Sequence, residues 1–87
     1  MALNFPNASR CYDGSKPCVR FWGYDVALEV TFDVEEAALR RFHSITEPSE
    51  ESMLAAFDAG RAQIEKAAVR VYSRRSCNYV RLTASDF

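Results

Sequence analysis

Few residues in this chain are of a type that could do chemistry. His43 is the only histidine. It falls where a short helical stretch ends, so it reads as a C-terminal cap or a surface residue. Cys11, Cys18 and Cys77 are odd in number and show no Cys-x-x-Cys spacing. They read as free thiols, neither a disulfide framework nor paired zinc ligands with His43. A Cys11 to Cys18 bridge across a hairpin would require oxidation. The carboxylates gather at predicted helix starts, Asp33 to Glu36 and Glu50-Glu51, where capping and the helix dipole account for them. Ser44 and Ser73 have no base at a spacing that would pair with them, and three glycines supply no phosphate-cradling loop. The expectation is therefore no enzyme, no catalytic residue, no cofactor and no metal.

A second set is more informative. Arg20 and Trp22 alternate with Val19 and Phe21, and Tyr79, Arg81 and Thr83 alternate with Val80 and Leu82. On strands, each alternation sends one set inward and the other outward. The outward set predicts a sheet face showing Arg20, Trp22, Glu29, Thr31, Tyr79, Arg81 and Thr83. Three readings compete for it. In the structural one, Trp22 and Tyr79 cover the sheet edge or belong to a second small cluster, and Arg20 and Arg81 pair with Glu29. As a protein interface the face offers Trp, Tyr and Arg, the types that dominate binding hot spots. As a nucleic-acid surface it would stack bases and hold phosphates, with Arg70, Arg74 and Arg75 extending the track. The functional expectation is an interaction module, for a protein partner or a second copy first and for RNA or single-stranded DNA second.

These residues must be positioned by the regular elements around them. The longest unbroken period runs from Ser49 to Arg75 and predicts a helix whose buried stripe is Met53, Phe57, Gly60, Ile64, Ala67, Ala68 and Val71, flanked by Leu54, Arg61 and Tyr72. Ser49 is its predicted N-cap, Glu50 and Glu51 suit its first turn, and Arg74 and Arg75 its last. Gly60 on the buried stripe predicts close approach of another backbone. Asp58 predicts a surface pair with Arg61.

Upstream, strands are expected at Met1–Pro6, Ser9–Tyr12, Cys18–Trp22 and Val26–Phe32, with turns at Asp13–Pro17 and Gly23–Asp25. Asp33 to Glu36 has capping-box spacing for a short helix running to about His43. Downstream, a turn at Ser76–Asn78 leads into a last strand from Tyr79. Strands, two helices, then a strand predict an α+β fold: a mainly antiparallel sheet of four to five strands with one short and one long helix on one face.

With 87 residues and 48% hydrophobic content, the chain suits one domain, residues 1–87, with a modest core. A net charge of -1 argues against a strongly basic nucleic-acid or membrane-surface protein. The charge is uneven all the same. Asp25, Glu29, Asp33, Glu35, Glu36, Glu47, Glu50 and Glu51 make the middle acidic, whereas Lys66, Arg70, Arg74, Arg75 and Arg81 meet no acid before Asp86. No apolar run is long enough to span a bilayer, and no signal-peptide pattern opens the chain. The expected location is the cytoplasm.

Several short stretches carry a resemblance. Leu3-Asn4-Phe5-Pro6-Asn7, Ser9-Arg10, Tyr12-Asp13 and Val19-Arg20-Phe21-Trp22-Gly23-Tyr24-Asp25 open it, and Ala56-Phe57-Asp58, Arg61, Ile64, Val71-Tyr72 and Asp86-Phe87 continue it. Together they resemble the short bacterial proteins of the domain of unknown function 1488 family. The resemblance spans essentially the whole chain and implies a small α+β bacterial domain without an assigned activity, cofactor or catalytic residue.

Overall fold

A computed structural model describes residues 3–6, 8–75 and 77–87. Two eight-residue strands, β3 (Cys18–Asp25) and β4 (Leu28–Glu35), form an antiparallel hairpin that is the centre of the sheet. Along the free edge of β3, β1 (Leu3–Asn4) pairs with its far end and β2 (Arg10–Asp13) with its near half, both antiparallel. On the other edge β5 (Tyr79–Leu82) pairs with β4 and runs parallel to it. Parallel neighbours need a long crossover, and the two helices provide it. The architecture is α+β, with a mostly antiparallel five-stranded sheet.

The crossover begins with α1 (Glu36–Leu39), a single turn, and continues with α2 (Glu50–Arg75). At about 1.5 Å per residue, the 26 residues of α2 make it about as long as the 37 Å greatest extent of the molecule. Its start is a reciprocal serine cap. The Ser52 amide donates to Ser49 Oγ at 3.2 Å, and the Ser49 amide donates to Ser52 Oγ at 3.0 Å. All seven predicted stripe residues are buried, and Ala56 and Tyr72 join them.

Several local expectations are revised by the packing. The predicted Val26–Phe32 strand lies further on, at Leu28–Glu35, and the hairpin turn is Val26-Ala27 rather than Gly23–Asp25. Gly23 serves the core instead. A side chain there would come within 2.8 Å of the Phe5 ring, which lies over it. Because β4 continues through Glu35, Asp33 is a strand residue and caps nothing. The helix that was to reach His43 ends at Leu39, with His43 exposed in the connector beyond. Gly60 is approached not by backbone but by the Phe42 ring, whose atoms occupy the space of a Cβ. In the Asp13–Pro17 turn Gly14 has no positive φ. The Asp13 carboxylate holds that turn, accepting from the Ser15 amide at 3.0 Å. Of the Met1–Pro6 strand, Leu3–Asn4 is formed, and Met1 and Ala2 lie outside the described residues, as does Ser76 of the predicted turn before β5.

The core lies between the sheet and α2. Phe21 and Phe32 stack at 5.1 Å between centroids, Phe57 of α2 tilts onto Phe21 at 5.2 Å, and Phe5 closes the cluster at 5.9 Å from Phe21. Val19, Val30, Val34, Val80 and Leu82 complete the sheet side. Polar contacts fasten the layers at their margins. Arg10 of β2 donates to both carboxylate oxygens of Asp58 on α2, at 2.8 and 2.7 Å. Asp58 is therefore mainly a tie to the strand, with Arg61 a more distant partner at 3.9 Å. Arg61 itself donates to the Ala8 carbonyl and lies over the Phe57 ring. At the other end the Tyr72 hydroxyl donates to Asp25 at 2.8 Å.

Candidate interaction face

The period-2 alternation of β3, β4 and β5 sends Arg20, Trp22, Tyr24, Glu29, Thr31, Asp33, Glu35, Tyr79 and Arg81 away from α2. The four residues expected to define a surface, Arg20, Trp22, Tyr79 and Arg81, thus share one face across three adjacent strands. Trp22 is half-buried opposite Thr31, and Tyr79 is 43% exposed. The face is open where the helices are not.

Its charges are arranged in pairs across strands. Arg20 on β3 donates to Asp33 on β4 through Nε at 2.8 Å and Nη2 at 3.2 Å. The Tyr79 hydroxyl on β5 donates to Oδ2 of the same carboxylate at 2.6 Å. One carboxylate thereby ties three strands. Beside it Arg81 donates to Glu35, and at the hairpin end Tyr24 donates to Glu29 at 2.8 Å. Asp13 adds a second, longer contact to Arg20 at 3.7 Å. The arginines are paired, as a structural reading of the face expects, but with Asp33 and Glu35. Glu29 lies four residues before Asp33 on β4, towards the hairpin turn, and takes Tyr24 instead.

Asp33 is completely buried although no helix covers it. Burial pushes its carboxyl up, and the hydrogen bonds from Arg20 and Tyr79 outweigh that and hold it below the ordinary 3.8. The reciprocal effects follow: the hydrogen bond to Asp33 raises the Arg20 guanidinium and the Tyr79 phenol. Cys18, also buried on this face, has its thiol pushed up by burial first and then by Asp33 and Asp13. Cys11 pairs with Arg20 and Cys18 with Asp13, so the two thiols are diagonal, not opposite. Diagonal neighbours stand roughly 7–8 Å apart, beyond the span of a disulfide. All three cysteines are free. Among the described residues, no three His, Cys, Asp or Glu side chains gather in a metal-binding group.

The residues that sequence reasoning missed are Asp33, Glu35 and Tyr24. A signal for the first two exists. Extending the alternation Val26, Leu28, Val30, Phe32 by one step reaches Val34, and the intervening set Glu29, Thr31 then continues to Asp33 and Glu35. The capping-box spacing competed with that pattern and misdirected it.

A family model described as "Protein of unknown function (DUF1488)" matches residues 3–82. Among solved structures, the fold is similar to a protein of unknown function of the DUF1488 family from Shewanella loihica PV-4, with a TM-score of 0.80. The two chains are 14% identical, and the match covers 94% of each. At that identity the likeness is one of fold. No curated protein matches.

Proposed function

We propose that this chain, which belongs to the DUF1488 family of proteins of unknown function, is a non-enzymatic interaction module whose uncovered sheet face docks on a second copy of itself. The observation that carries the reading is the arrangement on that face: Trp22, Tyr24 and Tyr79 around arginines already fixed by Asp33 and Glu35. Aromatic and arginine side chains held rigid before contact lose little entropy on binding. The face carries charges of both signs, Arg20 and Arg81 beside Asp13, Glu29, Asp33 and Glu35, a mixture that suits a self-complementary contact better than a partner of one sign. Its carboxylates are engaged as acceptors for arginine and tyrosine, which suits a binding surface better than acid–base chemistry. We place the module in the bacterial cytoplasm. Free thiols fit a reducing compartment, and no helix of the described residues is long and apolar enough to cross a membrane.

Nucleic-acid binding is the second reading. It is favoured by Arg74 and Arg75 at the end of α2, which have no ion-pair partner among the described residues, and disfavoured by the four carboxylates on the sheet face.

Sedimentation across a concentration range tests both readings. The expected result is a rise from the 9.9 kDa chain mass towards twice that value, with Trp22→Ala restoring the monomer. A monomer at every concentration would overturn self-docking. Salt-sensitive co-sedimentation with an oligonucleotide, lost in an Arg20→Ala, Arg81→Ala double variant, would replace it with the second reading.

A further inference from the structure

On the helical side of the molecule, a cavity of about 430 Å³ lies between α2, the connector after α1 and the C-terminal residue. Its walls are Gln63, Lys66, Ala67 and Arg70 from one strip of α2, with Arg41, Phe42 and Phe87 facing them. Three of the seven carry a positive charge and none a carboxylate side chain. The cations elsewhere are mostly neutralised: Arg10, Arg20, Arg40, Arg61 and Arg81 all pair with Asp or Glu. Arg41, Lys66 and Arg70 have no ion-pair partner among the described residues. Arg70 donates one Nη2 bond to the Asp86 carbonyl, which anchors it at the rim. The Asp86 carboxylate, the acid nearest in sequence to Phe87, is turned away into a cap on Thr83, accepting from its amide at 2.8 Å and its hydroxyl at 3.2 Å.

The apolar wall is equally definite. Phe42 and Phe87 meet edge to face at 5.3 Å between centroids and 84° between planes. Gly60 leaves room for Phe42 to sit against α2. Two rings thus line one side of the cavity, with Arg41 beside them and Lys66 and Arg70 opposite. Guanidinium and ammonium groups with no acidic side chain among them form a set that can hold a phosphate, and aromatic rings stack on planar bases. The volume lies in the range of about 300–1,000 Å³ usual for small-molecule sites.

We infer that this cavity is a binding site for a mononucleotide, with the phosphate held by Arg41, Lys66 and Arg70 and the base lying against Phe42 and Phe87. The site is separate from the sheet face and does not depend on self-docking. Adenosine 5′-monophosphate, titrated into the whole chain at low salt and followed by amide chemical shifts, tests it. Shifts confined to the amides of the cavity walls, Arg41 and Phe42 included, are expected, with affinity about tenfold above that of inorganic phosphate, consistent with one stacked base. Arg41→Ala and Lys66→Ala alter exposed side chains and should leave the amide spectrum of the free protein intact, yet weaken the nucleotide by about three- to tenfold each, as the loss of one charge-assisted bond predicts. No shifts at millimolar nucleotide, affinity unchanged in both variants, or equal affinity for inorganic phosphate would each overturn the assignment.

Discussion

On one side of β3 and β4, Phe21 and Phe32 stack at 5.1 Å beneath the ring of Phe57; on the other side of the same two strands, Arg20 and Asp33 meet at 2.8 Å with the Tyr79 hydroxyl closing on the same carboxylate. Both sides bury atoms completely, but by different means. The covered face excludes water with a second layer and gains from apolar area removed from solvent. The open face excludes it with the side chains of the sheet itself, which close over Asp33 because each has a bond to make there. Such burial is tolerable only when the group is fully paired, since an unsatisfied carboxylate would cost more than the contact returns. The comparison also separates the resemblance residues by role. Phe5, Arg10, Gly23, Asp25, Phe57, Asp58, Arg61 and Tyr72 all fasten the helix side. Arg20, Trp22 and Tyr24 belong to the other.

The largest contrast is expected from removing a ring from each face. Phe57→Ala should cost about 3–5 kcal/mol in urea unfolding, as a large core truncation does. Trp22→Ala, from a half-buried site with no second layer, should cost about 1 kcal/mol while abolishing self-association. Equal losses from the two would show that the open face is a second core.

The next effect in size concerns Asp33. Replacing it with Asn leaves Arg20 only the longer contact to Asp13 and should destabilise by about 1–3 kcal/mol. The pH dependence has a definite sign. Because the folded carboxyl sits below 3.8, its contribution is present in full above that value and is lost as the pH falls through the depressed one. The Asp33→Asn variant should therefore show a shallower loss of stability in acid than the parent. Parallel acid limbs would mean that other carboxylates, Asp58 beside Arg10 and Asp13 beside Ser15, carry the acid sensitivity instead.

How much of this was legible follows the same division. The α2 stripe was readable because burial under one layer imposes a 3.6-residue period that a long helix repeats many times. The facing of Arg20, Trp22, Tyr79 and Arg81 was readable from a period of two. What one sequence does not encode locally is which residue of another element fills a given space. Gly60 shows this: helix propensity makes Gly60→Ala a gain of about 1 kcal/mol, yet the Phe42 ring occupies the place of the new methyl. Overpacking of that kind costs about 1–3 kcal/mol, so a net loss near 1 kcal/mol is expected by chemical denaturation. A gain would mean that Phe42 and its edge-to-face contact with Phe87 move aside easily, which would also loosen the apolar wall of the nucleotide cavity.

The smallest expected effect is at the hairpin tip, where the two faces meet. Val26 has φ of 58° and is 85% exposed. A two-residue loop between Asp25 and Leu28 needs a positive φ that glycine or asparagine would supply without strain, and a β-branched residue there costs roughly 1–2 kcal/mol. Val26→Gly relieves that cost but adds freedom to the unfolded chain, which returns roughly 0.4–1 kcal/mol of it. The net gain should be about 0.5–1 kcal/mol, read as a Tm higher by a few degrees, on the order of 2–6 °C. Strained residues tend to be kept where they serve a site, and the tip adjoins Tyr24, Glu29 and the half-exposed Leu28. If Val26→Gly raises Tm while self-association weakens, the tip belongs to the docking surface, and the boundary of the open face moves outward to include it. If Tm rises and association is unchanged, the surface stops at Trp22 and Tyr24, and the valine is strain without a role in docking.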